Sequence, residues 1–319
     1  MGLDFLFDNL RNPALLFFFL GMFAVWVKSD LKIPANSSKF ITLYLLFSIG
    51  FKGGQELSHS SITPQIIWAL LFGIGLSVVV PIYCFTLLLG RFGAYNAGAI
   101  AASYGSVSAV TFVTAVSFLE MMQLPFGGHM VAVMSVMEAP AIVVGVLLMA
   151  WFGQGESQAN VPCWSVVKHA LTNGSVLMIL GSLLIGYLAT DTQAEGIRPF
   201  TTDLFKGFLV LFLLDMGINS GRRLGTFFEN GWFATLFAIG VPVLNGCVTA
   251  YLSAWVTDVE GERLLFAMLA ASASYIAVPA TMKWVAPKAN PSLYIPMALA
   301  VTFPFNITLG MPLYLYLIQ

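Results

Sequence analysis

Charge is scarce in this sequence. Only 9% of the 319 residues are Asp, Glu, Lys or Arg, against about a quarter in a soluble domain. Fourteen Lys and Arg against fifteen Asp and Glu leave a net charge of −1, so there is no basic surface for phosphates and nucleic-acid binding is excluded. Cysteine is equally sparse: Cys84, Cys163 and Cys247 lie far apart, with no Cys-x-x-Cys and no Cys/His pairing. Neither a disulfide framework nor a transition-metal site is indicated. The three His (His59, His129, His169) fall at the edges of apolar runs, and there is no His-Glu-x-x-His or Gly-x-Ser-x-Gly motif. A zinc or serine hydrolase therefore has no footing, and no enzyme is expected. The polarity alternation that strands of a membrane barrel require is also missing. What abounds is apolar: 58% of residues are hydrophobic and 14% aromatic, which excludes disorder. An all-α polytopic membrane protein is what remains.

A bilayer core about 30 Å thick needs roughly 20 apolar residues in helical form. That window predicts spans near 13–27, 33–51, 65–90, 95–119 and 129–152, then near 173–190, 203–219, 230–256, 262–284 and 291–318, ten helices in all. Between them stand polar, turn-forming segments such as Gly90-Arg-Phe-Gly93, Asp191-Thr-Gln-Ala-Glu-Gly196 and Asp258-Val-Glu-Gly-Glu-Arg263. Asp4 and Asp8 precede the first basic residue, Arg11, so a cleaved signal peptide is not expected. With the N-terminus outside, nine of the Lys and Arg fall on the cytoplasmic side and five opposite. This bias predicts both termini outside a cytoplasmic (inner) membrane, and a cytoplasmic linker at 153–172.

The two halves resemble each other. Leu46-Phe-Ser-Ile-Gly-Phe-Lys-Gly-Gly54 aligns with Leu213-Leu-Asp-Met-Gly-Ile-Asn-Ser-Gly221 at an offset of 167. Ala101-Ala-Ser103 aligns with Ala270-Ala-Ser272 at 169, and Pro140 with Pro304 at 164. Five spans in each half give the second the opposite topology. The expected organisation is therefore a repeat at 1–152, the linker at 153–172 and an inverted repeat at 173–319. Inverted repeats mark secondary transporters with a site near the bilayer midplane.

Small and polar residues interrupt the fourth and ninth spans at matching places, so both helices are expected to be broken. Gly105 can unwind a helix, and Pro279 removes a backbone donor and frees the carbonyl of Tyr275. Two half-helix N-termini then offer N–H groups and positive dipole ends to a small anion. The candidate anion-binding residues are Tyr104, Gly105, Ser106 and Val107 in the first break and Ser272, Ala273, Ser274 and Tyr275 in the second. Hydroxyl and carbonyl oxygens suit a hard, weakly held cation such as Na⁺. Its candidate ligands are Ser103, Ser108, Thr111 and Thr281, with Glu138 inside the fifth span and Thr302 and Asn306 inside the tenth. Lys52 and Asp215 lie off centre and are weaker candidates for ligation. No cofactor is expected beyond Na⁺ as coupling ion, and lipid surrounds the chain.

Over its whole length the chain resembles the sodium-dependent bicarbonate transporter family known from cyanobacteria. The resemblance is carried by Gly50-Phe-Lys-Gly-Gly54, Tyr104-Gly-Ser-Val-Ser108, Met137-Glu-Ala-Pro140 and Ala289-Asn-Pro-Ser-Leu-Tyr294. It implies ten helices, core and gate-like domains, a homotrimer, and Na⁺-coupled bicarbonate import with the anion between the broken fourth and ninth helices. It also implies a cytoplasmic PII-like partner, for which the central linker is short. Where the family pattern has Ser-Ser-Ser-Asp-Ile-Ser, this chain has Ser272-Ala-Ser-Tyr-Ile-Ala277, without the acid and the last hydroxyl. Glu138 stands where that pattern has Asp. Symport of another small carboxylate, or a passive channel, are the alternative functions.

Overall fold

The computed structural model describes residues 11–59, 63–153, 164–165, 168, 172–227 and 231–319. In chain order the helices are α1 (Pro13–Trp26), α2 (Ala35–Ser58), α3 (Pro64–Gly105), α4 (Ala109–Met122), α5 (His129–Phe152), α6 (Gly174–Leu188), α7 (Asp191–Arg198), α8 (Phe205–Phe227), α9 (Trp232–Leu252), α10 (Glu260–Ala271), α11 (Ala277–Val285) and α12 (Pro291–Ile318). No strand occurs among the described residues. Five stretches are long and apolar enough to cross a membrane: Pro64–Met122, His129–Phe152, Asp191–Gly225, Trp232–Trp255 and Pro291–Ile318. Helices α1 and α6 are apolar but shorter. Residues 1–10 and most of the 153–172 linker lie outside the described residues.

Side-chain oxygens start several of these helices. Asn12 accepts the Ala14 N–H at 2.9 Å with Pro13 in the first helical position, Asn173 accepts that of Ser175 at 3.0 Å, and Asn290 accepts that of Ser292 at 3.0 Å. Three readings of the polar punctuation differ from the structure. Gly90-Arg-Phe-Gly93 is a kink rather than a loop, because Gly93 alone leaves helical geometry (φ 72°) and the helix resumes at once. Asp191–Arg198 is helical, held by a capping box between Thr190 and Gln193. Glu260 and Glu262 belong to the first turn of α10, where negative charge suits the helix dipole. In α12, Pro296, Pro304 and Pro312 each remove a backbone donor, and π-helical turns at Met297–Thr302 and Asn306–Gly310 take up the mismatch.

Packing pairs the helices closely. Helix α1 lies along α8 and α2 along α6, while α3 packs on α5, and α10 on α9 and α12. The first two crossings are backbone-to-backbone. A Cβ on Gly217 of α8 would sit 2.0 Å from the Phe18 carbonyl of α1, and one on Gly54 of α2 would sit 2.1 Å from the Leu183 carbonyl of α6. Gly50 and Gly54, and equally Gly217 and Gly221, are four residues apart, the small-xxx-small spacing by which helices approach closely in lipid. The aligned glycine motifs of the two halves are therefore helix-crossing seams.

Trp26, Trp68, Trp151, Trp232 and Trp255 are all strongly exposed and stand at or near helix ends, and Arg91 stacks over Trp232 and Phe233. Amphipathic aromatics at helix ends are the pattern of residues bordering the headgroup region.

Candidate functional site

Two helix breaks face each other across one cleft. The first separates α3 from α4: Gly105 is the last helical residue, Ser106 is extended (φ −84°, ψ 175°) and Ser108 is the N-cap of α4. The second separates α10 from α11, with Ser272 extended (φ −78°, ψ 167°) and the helix resuming at Ala277. Both breaks use ordinary φ angles, so neither depends on glycine. Gly105 is required for another reason: a Cβ there would lie 2.4 Å from the ring of Pro81. Pro279 is not the cause of the second break either. It occupies the first turn of α11, where a missing N–H costs nothing.

The breaks hold each other. The Ser274 N–H donates to the Ser103 carbonyl at 2.8 Å, and the Ser108 N–H donates to Ser272 Oγ at 3.0 Å. Hydroxyls cap both resumed helices: Ser108 Oγ accepts the Thr111 N–H at 3.1 Å, and Ser274 Oγ accepts the Val278 N–H at 3.3 Å. Phe112 and Ala280 donate to the Ser108 and Ile276 carbonyls. In the first turns this leaves the N–H groups of Ala109 and Val110 in α4 and of Ala277 in α11 without intrahelical acceptors. All three residues line the cleft.

The cleft spans about 430 Å³, counting the open space at its mouth. Its walls are Thr42 and Leu46 of α2, Ser175 and Ile179 of α6, Met134 and Glu138 of α5, and residues 107–110 and 274–277 at the breaks. Glu138 is the one charged residue in that lining, and its carboxylate has neither a hydrogen bond nor an ion pair among the described residues. Tyr275 is 8% exposed, and its hydroxyl, beside Ser108, makes no well-formed hydrogen bond among the described residues.

Of the eight residues expected to bind the anion, Val107, Ser274 and Tyr275 line this cleft. Tyr104 is buried, with its hydroxyl 2.8 Å from Thr302 Oγ1. Ser106 reaches the Glu138 carbonyl at 3.5 Å, and Ser272 donates to the Leu269 carbonyl at 2.8 Å. Gly105 packs on Pro81, and Ala273 is buried.

Of the candidate Na⁺ ligands, Ser108 and Glu138 line the cleft. Ser103 Oγ is buried without a partner, Thr111 is buried, and Thr281 donates to the Ala277 carbonyl. Thr302 donates to the Ala238 carbonyl at 2.7 Å. Asn306 donates to the Ala271 carbonyl at 2.7 Å and accepts from Tyr314. Asn245 donates to the Ala270 carbonyl at 3.0 Å. Side-chain donors thus occupy the carbonyls of Ala270 and Ala271 at the end of α10.

Lys52 and Asp215 also have partners. Lys52 Nζ meets Glu120 Oε1 at 2.6 Å, tying α2 to α4, and Asp215 accepts from Ser38. No group of three or more His, Cys, Asp or Glu able to hold a metal exists among the described residues. The cleft residues absent from the sequence expectation are Thr42, Leu46, Met134, Ser175, Ile179 and Ile276, plus the first residues of α4 and α11. A signal was present for the latter, since hydroxyl N-caps mark where helices restart.

Comparison with curated proteins gives no match. The sequence pattern of the Na⁺-dependent bicarbonate transporter superfamily matches residues 13–319, essentially the whole chain. With its apolar helices and exposed aromatics, this integral membrane protein belongs to that superfamily, a family of transporters and not of enzymes.

Proposed function

We propose that the chain imports bicarbonate together with Na⁺, holding the anion in the cleft between the two helix breaks. The observation that carries this reading is that two half-helix N-termini and one unpaired carboxylate open onto the same cleft. Each N-terminus contributes roughly half a positive charge, enough to attract an anion without the tight grip of a buried Lys or Arg. Glu138 makes the coupling necessary. A carboxylate about 4 Å from a bound anion costs about 4 kcal/mol at an effective dielectric constant of 20, and a cation beside Glu138 removes that cost. Binding of either ion then favours the other.

Two inverted five-helix repeats and ten spans form part of the same proposal. The exchange of partners between halves supports it: α1 packs on α8 as α6 packs on α2, each through aligned glycines. The Lys52–Glu120 pair, with Glu56 beside it, lines a separate small pocket in the groove between α2 and α4, and we assign it a gating role on the way to the cleft. A trimer in a cytoplasmic membrane, with both termini outside, completes the reading.

Purified protein in liposomes tests it. With an inward Na⁺ gradient, labelled bicarbonate should accumulate above its outside concentration, and replacing Na⁺ by K⁺ should abolish accumulation. Equal uptake in both would refute coupling, and uptake that never exceeds equilibration would make the protein a channel.

A further inference from the structure

The donors and the acceptor in the cleft are unequal in number, and the imbalance specifies the ligand. The cleft lining includes Ala109, Val110 and Ala277, the first-turn residues whose N–H groups lack intrahelical acceptors and can only donate. Against them stands the Glu138 carboxylate, which when ionised can only accept, and no donor among the described residues reaches it. The Tyr275 hydroxyl, buried in the same wall beside Ser108 and without a well-formed hydrogen bond among the described residues, is a second sign that the site is completed by something other than the protein. An anion such as nitrate or formate, with oxygens only, satisfies the backbone donors but meets Glu138 as one negative charge meets another. An anion carrying its own O–H satisfies both sides.

We propose that Glu138 is the residue that makes the site selective for hydroxyl-bearing anions, with one carboxylate oxygen accepting the O–H of the substrate while the substrate's other oxygens take the N–H groups of Ala109, Val110 and Ala277. The second carboxylate oxygen stays available to the coupled cation. This rests on the reading that the cleft is the substrate site, and it gives Glu138 a task distinct from charge balance. Bicarbonate is the smallest trigonal anion with one such hydroxyl. Leu46, Met134, Ile179 and Ile276 give the cleft apolar walls, which lower the local dielectric around that contact.

The test is a competition panel run on Na⁺-driven uptake of labelled bicarbonate in proteoliposomes, with unlabelled bicarbonate, nitrate and formate as competitors. The wild type should show inhibition constants for nitrate and formate at least about tenfold above that of bicarbonate, the size expected from one charge-assisted hydrogen bond. Glu138→Gln removes the charge and adds an amide donor, so the gap should shrink to about twofold as nitrate and formate gain and bicarbonate loses. If the variant folds but does not transport, anion-dependent thermal stabilisation of the purified protein reads the same order of preference. Wild-type uptake that nitrate and formate inhibit as well as bicarbonate does would overturn the proposal while leaving transport intact. An unchanged gap in Glu138→Gln would do the same. Absence of any bicarbonate uptake by the wild type would instead refute the transport reading beneath it.

Discussion

Asn306 separates an architectural role from an ion-binding one. Fully buried, it donates its amide to the Ala271 carbonyl at 2.7 Å and accepts from Tyr314 at 3.3 Å, so it stitches α12 to the end of α10. Asn306→Asp keeps the shape and the oxygen and, when ionised, deletes the donor. The lost hydrogen bond is worth about 1 kcal/mol, and leaving the Ala271 carbonyl buried without a partner adds about 1–3 kcal/mol. For a chain of this length each kcal/mol is worth roughly 2–3 °C, so the thermal midpoint in detergent should fall by roughly 5–10 °C. If Asn306 were instead a Na⁺ ligand, a carboxylate in its place would bind Na⁺ more strongly. The assay is the melting midpoint titrated with NaCl against KCl. A midpoint equal to that of the wild type, with an enlarged Na⁺-specific increase, would refute the architectural role.

Gly105→Val should abolish uptake in protein that still reaches the membrane, because the added side chain displaces the Pro81 ring 2.4 Å from its Cβ position; full activity in proteoliposomes would contradict this. Ser274→Ala should raise the half-saturating bicarbonate concentration about five- to tenfold, since it uncaps Val278 at the start of α11 for on the order of 1 kcal/mol; an unchanged uptake curve would remove Ser274 from the site. Lys52→Glu and Glu120→Lys alone each place like charges at the 2.6 Å contact and should slow uptake severalfold, while the double exchange should restore it to within about twofold of wild type; failure of that rescue would count against a paired role across the groove.

The breaks were legible because hydroxyls and glycine cluster inside otherwise apolar runs, where the backbone has few other reasons to carry them. Their causes were not. Gly105 reads as a source of flexibility, yet its constraint comes from Pro81, twenty-four residues upstream and one helix turned back. Pro279 reads as a breaker, yet the break precedes it, at a position where proline is harmless. Gly90-Arg-Phe-Gly93 has turn chemistry, but one positive φ is all the chain uses. Asn306 and Thr302 drew attention as polar groups in a span, and only tertiary contacts show them bonded to carbonyls of neighbouring helices. Thr42, Leu46, Ser175 and Ile179 could not be read as cleft residues. Helices buried on one side and facing lipid on the other show almost no contrast in polarity around their circumference. The glycine seams were visible as aligned motifs, but their partner helices became known only from the fold.

The most direct test of shared occupancy is equilibrium linkage, measured by calorimetric titration of bicarbonate into the purified protein over a series of Na⁺ concentrations, and of Na⁺ over a series of bicarbonate concentrations. If anion and cation meet in the Glu138 cleft, each should tighten the other by the same factor, as thermodynamic reciprocity demands, and Glu138→Gln should bring that factor close to one. Bicarbonate affinity independent of Na⁺ in the wild type would contradict the account at its centre.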